Sequence, residues 1–231
     1  MYRTGLLIFL LGMTTTTIAQ PKGGSMWVTA QLPVDFSKRL QWHNDLSYKS
    51  GGITLKAYQR FYRTGLRYRI SDHWNTAAGV GFFTTQTAGN KEDDEFGREF
   101  RVWEELIYQT SISKKWSFQN RLRPEERFLH ATTQKPASKI LNLSDRVSFT
   151  KELSEKWDLQ MADEFFEQVI DKEFVFNQNR LMGAGIYTIN NSLQIQGGYI
   201  WVLRKTFSQH VLQITIRKIF SAYGRHDHSS E

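Results

Sequence analysis

The chain contains no cysteine, so disulfide frameworks, thiolate metal sites and cysteine nucleophiles are excluded from the outset. Beyond the first 19 residues no segment approaches the roughly 18 continuous apolar residues that a transmembrane helix needs. The hydrolase spacings G-x-S-x-G and H-E-x-x-H are missing as well. Nor is there a localised basic patch. The formal charge is +7, but the arginines are spread through alternating segments, which argues against a nucleic-acid surface.

Aromatic residues, in contrast, are plentiful: 16 Phe, 9 Tyr and 7 Trp in 231 residues, a composition that favours strands or interfacial belts over disorder. The N-terminus, "MYRTGLLIFLLGMTTTTIAQ", has a basic Arg3, a short apolar run from Gly5 to Met13 and small residues ending at Ala19. That is the pattern of a cleaved secretory signal peptide over 1–19, with an apolar core too short to span a bilayer.

A turn recurs along the chain. Ser71-Asp72-His73-Trp74, Ser113-Lys114-Lys115-Trp116 and Ser154-Glu155-Lys156-Trp157 are spaced 41 to 42 residues apart, and "SKRLQW" ending at Trp42 is a looser copy. Two long alternating segments fill each period, too few for a propeller blade of four strands. Strands are expected at about 38–50, 56–70, 74–86, 98–112, 116–130, 138–151, 157–170, 174–188, 192–204 and 208–220. Short turns alternate with longer loops, as in an up-and-down meander, and strands this long suit a tilted membrane crossing. The reading is therefore all-β: a single antiparallel transmembrane β-barrel over 20–220, with a disordered tail at 221–231. The segment 26–36 also alternates and would make eleven strands. Single-chain bacterial barrels have even numbers, so ten is expected, with 26–36 either one of twelve or packed against the wall.

Successive strand residues point to opposite faces. Trp42, Trp74, Trp116 and Trp157 then fall at the strand starts beside the short turns, as an aromatic girdle would. The opposite parity carries "YRTGLRYRI" and its relatives. Arg63, Arg67, Arg69, Arg101, Arg121, Arg123, Arg127, Arg146 and Arg180 are expected inside, with Glu105, Glu125, Asp158 and Glu164. A barrel this narrow is filled by side chains, and guanidiniums buried there need carboxylate partners. This predicts a structural charge ladder. Because arginine outnumbers acid, a narrow anion-preferring channel is the alternative. Glu104, Glu126 and Asp163 fall on the lipid-facing parity, and a bulge near Pro124 would re-aim Glu126. A soluble lipocalin-like periplasmic carrier would reverse the two faces.

The run "EFGREFRVWEELIYQ", the strand "NRLRPEERF", "LQMADEFFE" and "NQNRLMGAGIY", with the Ser-x-x-Trp turns, resemble an uncharacterised family of small Gram-negative outer-membrane β-barrels catalogued as a domain of unknown function. The resemblance spans about 26–220. It implies an outer-membrane location and supplies no substrate, catalytic residue or cofactor. Related sequences tend to carry amides at the positions of Glu104 and Glu105.

A surface hydrolase would need His130, or Ser208 with His210, oriented by Asp93, Asp94 or Asp171. These residues lack a signature spacing, and the chain is read as non-enzymatic. Glu92, Asp93, Asp94 and Glu95 share the longest loop without EF-hand spacing, and His226 and His228 lie in the tail, so no metal or cofactor is expected. The expected partners are outer-membrane lipid, lipopolysaccharide and the barrel-assembly machinery, not nucleic acid. The sequence does not set an oligomeric state.

Overall fold

The computed structural model describes residues 24–52, 57–86, 96–133, 135–170 and 172–222. The leader, Glu92 to Glu95, Asp171 and the histidines of the tail lie outside them. Among the described residues every regular element is a strand. They are β1 (Ser25–Gln31), β2 (Val34–Asp35), β3 (Leu40–Ser50), β4 (Ala57–Arg69), β5 (Trp74–Gln86), β6 (Phe96–Ser113), β7 (Trp116–Leu129), β8 (Ser138–Glu152), β9 (Trp157–Ile170), β10 (Glu173–Asn190), β11 (Leu193–Arg204), β12 (Ser208–Lys218) and β13 (Phe220–Ser221).

Strands β3 to β12 pair antiparallel with their neighbours in sequence, matching the ten expected segments within a few residues. The count is nevertheless eleven. β1 pairs antiparallel with β3, Trp27 against Lys49, and parallel with β12, Ser25 against Val211. It therefore closes the barrel itself. In a meander strand directions alternate, so the first and last of an odd number run the same way and meet in parallel. β2 and β13 extend the two closing strands past a break at Pro33, whose carbonyl accepts the N–H of Phe220 at 2.9 Å. Ser221, assigned to the tail by sequence, pairs with Asp35.

The serine of the recurring turn explains the repeat. Ser71 Oγ accepts the N–H of Trp74 at 3.1 Å and that of His73 at 3.3 Å, and Ser154 Oγ accepts that of Trp157 at 3.2 Å. A side-chain acceptor there satisfies donors that the tight turn takes out of the ladder. In the looser copy Ser37 Oγ takes the N–H of Leu40 at 2.9 Å, so Leu40 holds the capped position and Trp42 follows two residues later. All four tryptophans point outward at the short-turn end. Trp74 packs on Tyr108 and Trp157 on Tyr187, at 5.0 and 4.8 Å between ring centroids.

The outward face is apolar: Leu46, Leu66, Phe82, Leu106, Leu122, Leu141, Met161, Phe165, Leu181, Ile195 and Leu212 are all exposed. Contiguous exposed apolar surface of this extent is that of a wall facing lipid, inverted from a soluble carrier. Pro124 causes no bulge. The β6–β7 register is the same on both sides of it, and Glu126 stays outward, 3.1 Å from Lys139. The register shifts lie instead at Lys49/Ser50, Ser111/Ser113, Phe176/Gln178 and Thr188/Asn190. Glu104 and Asp163 also remain outward, near the midpoints of β6 and β9, with no ion pair among the described residues.

The core lies inside the barrel, in its long-loop half. Ile200, Val202 and Val211 pack with Trp27 and Met182. Trp103, 1% exposed, lies across β4 and β5 on the inner face, where a Cβ on Gly65 or Gly79 would come within 2.6 or 2.7 Å of its ring. Only glycine permits that approach.

Candidate functional site

The middle of the lumen is a lattice of guanidinium and carboxylate groups from β3 to β10. Arg63 donates to Asp45 Oδ2 at 2.5 Å, and His43 Nε2 shares that oxygen at 2.9 Å. Arg127 forks onto both oxygens of Glu99, at 2.5 and 3.1 Å. Arg101 bridges Glu99 at 2.7 Å and Glu125 at 3.0 Å. Glu105 is the hub. Arg123 binds it through Nε at 2.7 Å and through Nη2, while Arg67 and Arg121 stand 3.6 and 3.8 Å away. Arg121 also binds Glu164, which lies 3.7 Å from Arg180. Forked and charge-assisted bonds of this kind are the geometry that lets opposite charges be buried together.

Towards the long loops, cations of the lattice and one beside it also lie on aromatic rings: Arg101 is 3.7 Å from the centre of Phe83, Arg180 4.3 Å from that of Phe166, and Lys49 4.1 Å from that of Trp27. Below the lattice, towards the short turns, the interior opens into a cavity of about 250 Å³. Arg67, Arg121, Arg146 and Arg217 line it with glutamines from several strands. A second cavity of about 390 Å³ shares Gln41, Arg67, Gln119 and Arg217 with the first and reaches the turn at Ser37–Leu40. The charged lattice and its aromatic contacts thus fill the middle and long-loop half of the lumen, and the cavities lie in the short-turn half.

Residues 24–212 match the family model described as "Protein of unknown function (DUF2490)". The chain belongs to that family. None of the curated proteins compared with it matches. Among solved structures, one of the porin NanC is similar, with a TM-score of 0.52 and 9% sequence identity over 81% of this chain and 90% of that one. At that identity the likeness is one of fold.

In this DUF2490 protein the lattice gathers Arg63, Arg67, Arg101, Arg121, Arg123, Arg127, Arg180, Glu105, Glu125 and Glu164 from the sequence-predicted set. Three others stand apart. Among the described residues the Arg146 side chain hydrogen-bonds only the amide oxygen of Gln160, at 3.3 Å. Arg69 is exposed at the short-turn rim, and Asp158 sits one residue past Trp157. Neither has an ion pair among the described residues, because the ends of the wall are open to solvent. Sequence reasoning missed Asp45 and Glu99, the acids that bring the lattice closer to balance. The signal was present: each has the parity opposite an outward neighbour, Asp45 to Trp42 and Leu46, Glu99 to Phe100. His210 lies at the long-loop end, hydrogen-bonded to the hydroxyl of Tyr199 and stacked on its ring, and His130 sits just past the end of β7.

Proposed function

We propose that this chain is exported behind a cleaved leader to the outer membrane, where it forms a sealed barrel that binds rather than conducts. The porin likeness and the lipid-like outer wall support the location. Burial of the lattice carries the rest: Glu105 and Glu164 are 4% exposed, Glu125 7% and Arg123 8%. A water-filled pore would leave such charges wet, as in larger barrels with aqueous channels. The reading assigns no catalytic role. Detergent-refolded protein in a planar bilayer under a salt gradient is expected to be silent. Discrete anion-selective steps that vanish on Arg67→Glu would overturn the sealed reading in favour of a channel.

The outer wall supports a lipopolysaccharide contact in particular. A shallow groove of about 1010 Å³ near the long-loop rim is lined by Leu46, Tyr62, Phe82, Phe100 and Phe128, with Arg60 and Arg98 at its edge. Both arginines are exposed, lie on one register row either side of Thr84, and have no ion pair among the described residues. Acyl chains suit the aromatic floor and phosphates the two guanidiniums. Arg60→Gln with Arg98→Gln is expected to reduce retention of lipid A in native mass spectra from detergent by about tenfold, relative to phosphatidylethanolamine. Equal retention by the variant and the parent would remove the contact.

A further inference from the structure

We propose that the hollow short-turn half of the lumen is a binding site for a small organic anion bearing carboxylate or phosphate groups. The inference rests on the sealed reading in one respect, since a blocked barrel makes this cavity a dead end rather than a passage. Four observations converge on it.

First, the inner cavity is lined by Arg67, Arg121, Arg146 and Arg217 and, among the described residues, by no acidic side chain, while Asp35 lines the adjoining cavity towards the rim, where it accepts from Gln41 at 2.7 Å. The carboxylates of the lattice sit above the inner cavity, and their nearest oxygens are spent on Arg123, Arg121 and Arg101. Second, two of these cations have no carboxylate within ion-pair distance among the described residues, although Arg146 stands opposite Glu164 in the β8–β9 register. Among those residues the Arg146 side chain hydrogen-bonds only an amide oxygen, at 3.3 Å, and Arg217 has no ion pair. Third, Arg67 Nε, Arg121 Nε and Gln41 Oε1 are buried without a hydrogen-bond partner among the described residues. Native proteins rarely leave such atoms orphaned, because each costs about 1–3 kcal/mol. A ligand or ordered water must complete them. Fourth, the remaining lining is almost entirely amide and hydroxyl, including Gln160, Gln196 and Thr215, which can both donate and accept.

The chemistry selects the ligand. Planar guanidiniums grip carboxylate and phosphate oxygens in a fork, and an anion neutralises the unpaired charge that the lattice leaves. Glutamines around the same space would hold hydroxyl groups on the ligand's body. Entry is from the short-turn side, the periplasmic side of an outer-membrane barrel.

The test is isothermal calorimetry on the full-length protein in detergent, with citrate and inorganic phosphate as separate probes and glucose as the neutral control. Saturable heat with citrate, phosphate or both is expected, and which probe binds identifies the anionic group. Glucose should give none. Affinity should fall at least tenfold in Arg146→Gln and in Arg217→Gln, each first shown to be folded by its unheated gel mobility. It should also fall as sodium chloride is raised. Absence of saturable heat with both anions would overturn the proposal, as would binding unchanged in both variants. The assay involves no membrane, so it fails separately from the conductance measurement.

Discussion

Gly79→Ala is expected to abolish the folded barrel. The new Cβ would lie 2.1 Å from the carbonyl oxygen of Thr64, 2.5 Å from the Cα of Gly65 and 2.7 Å from the ring of Trp103. Two of these obstacles are backbone atoms in paired strands, so a change of side-chain rotamer gives no relief. Overpacking of a well-filled interior costs about 1–3 kcal/mol when side chains can adjust, and more when they cannot. With backbone atoms in the way the loss should exceed that range and approach the roughly 5–15 kcal/mol that holds a typical domain folded. The readout is the faster migration of the unheated barrel in detergent gels, which should disappear. Gly183→Ala is the control, since nothing lies within 4 Å of its added Cβ. It should fold as the parent does. Normal folding of Gly79→Ala would mean that β4 and β5 can separate, and that Trp103 is not pinned between them.

Glu105→Gln should destabilise the barrel by about 3 kcal/mol, since removing one partner from a buried ion cluster strands the others. The substitution keeps the volume but leaves Arg67, Arg121 and Arg123 around a neutral amide. Urea titration followed by tryptophan fluorescence measures the shift. Glu126→Gln, which breaks the exposed pair with Lys139, should cost less than about 1 kcal/mol. The double variant Glu105→Gln with Arg123→Gln should lose less than the sum of the two single losses, because the pair is coupled. Additive losses would show that the lattice is a set of independent solvated charges. That result would also undercut the sealed lumen.

The barrel was legible because period-2 alternation and the Ser-x-x-Trp turn are local signals, written residue by residue. Inward parity located most of the lattice for the same reason. Closure is different in kind. Whether "MWVTAQLPVDF" pairs with β3, β12 or nothing depends on residues at the other end of the chain, and the even-number rule pointed the wrong way. Asp45 stood on a strand from which no ladder residue was read, and Glu99 stood in plain alternation two residues before Arg101, near the start of its strand. The hollow below the lattice was not legible at all. It arises because glutamines from distant strands face one another without filling the space between them, and no single strand records that distance.

The parallel seam between β1 and β12 has a bearing on assembly. Its hydrogen bonds join Ser25–Gln31 to Val211–Arg217, almost the full length of the chain apart, with a further tie from Gln209 to the hydroxyl of Ser25. Parallel ladders are slightly weaker per residue than antiparallel ones, and contacts between distant segments carry the greatest loop-closure cost. Pairing between neighbouring strands therefore costs less to close than the seam, which is the last contact expected to form. Until β12 is in place, β1 has a partner on one side only and the lumen's charges lie beside an open edge. The first strand is thus the piece that joins the two ends of the wall, and only with the last strand in place are both of its edges paired.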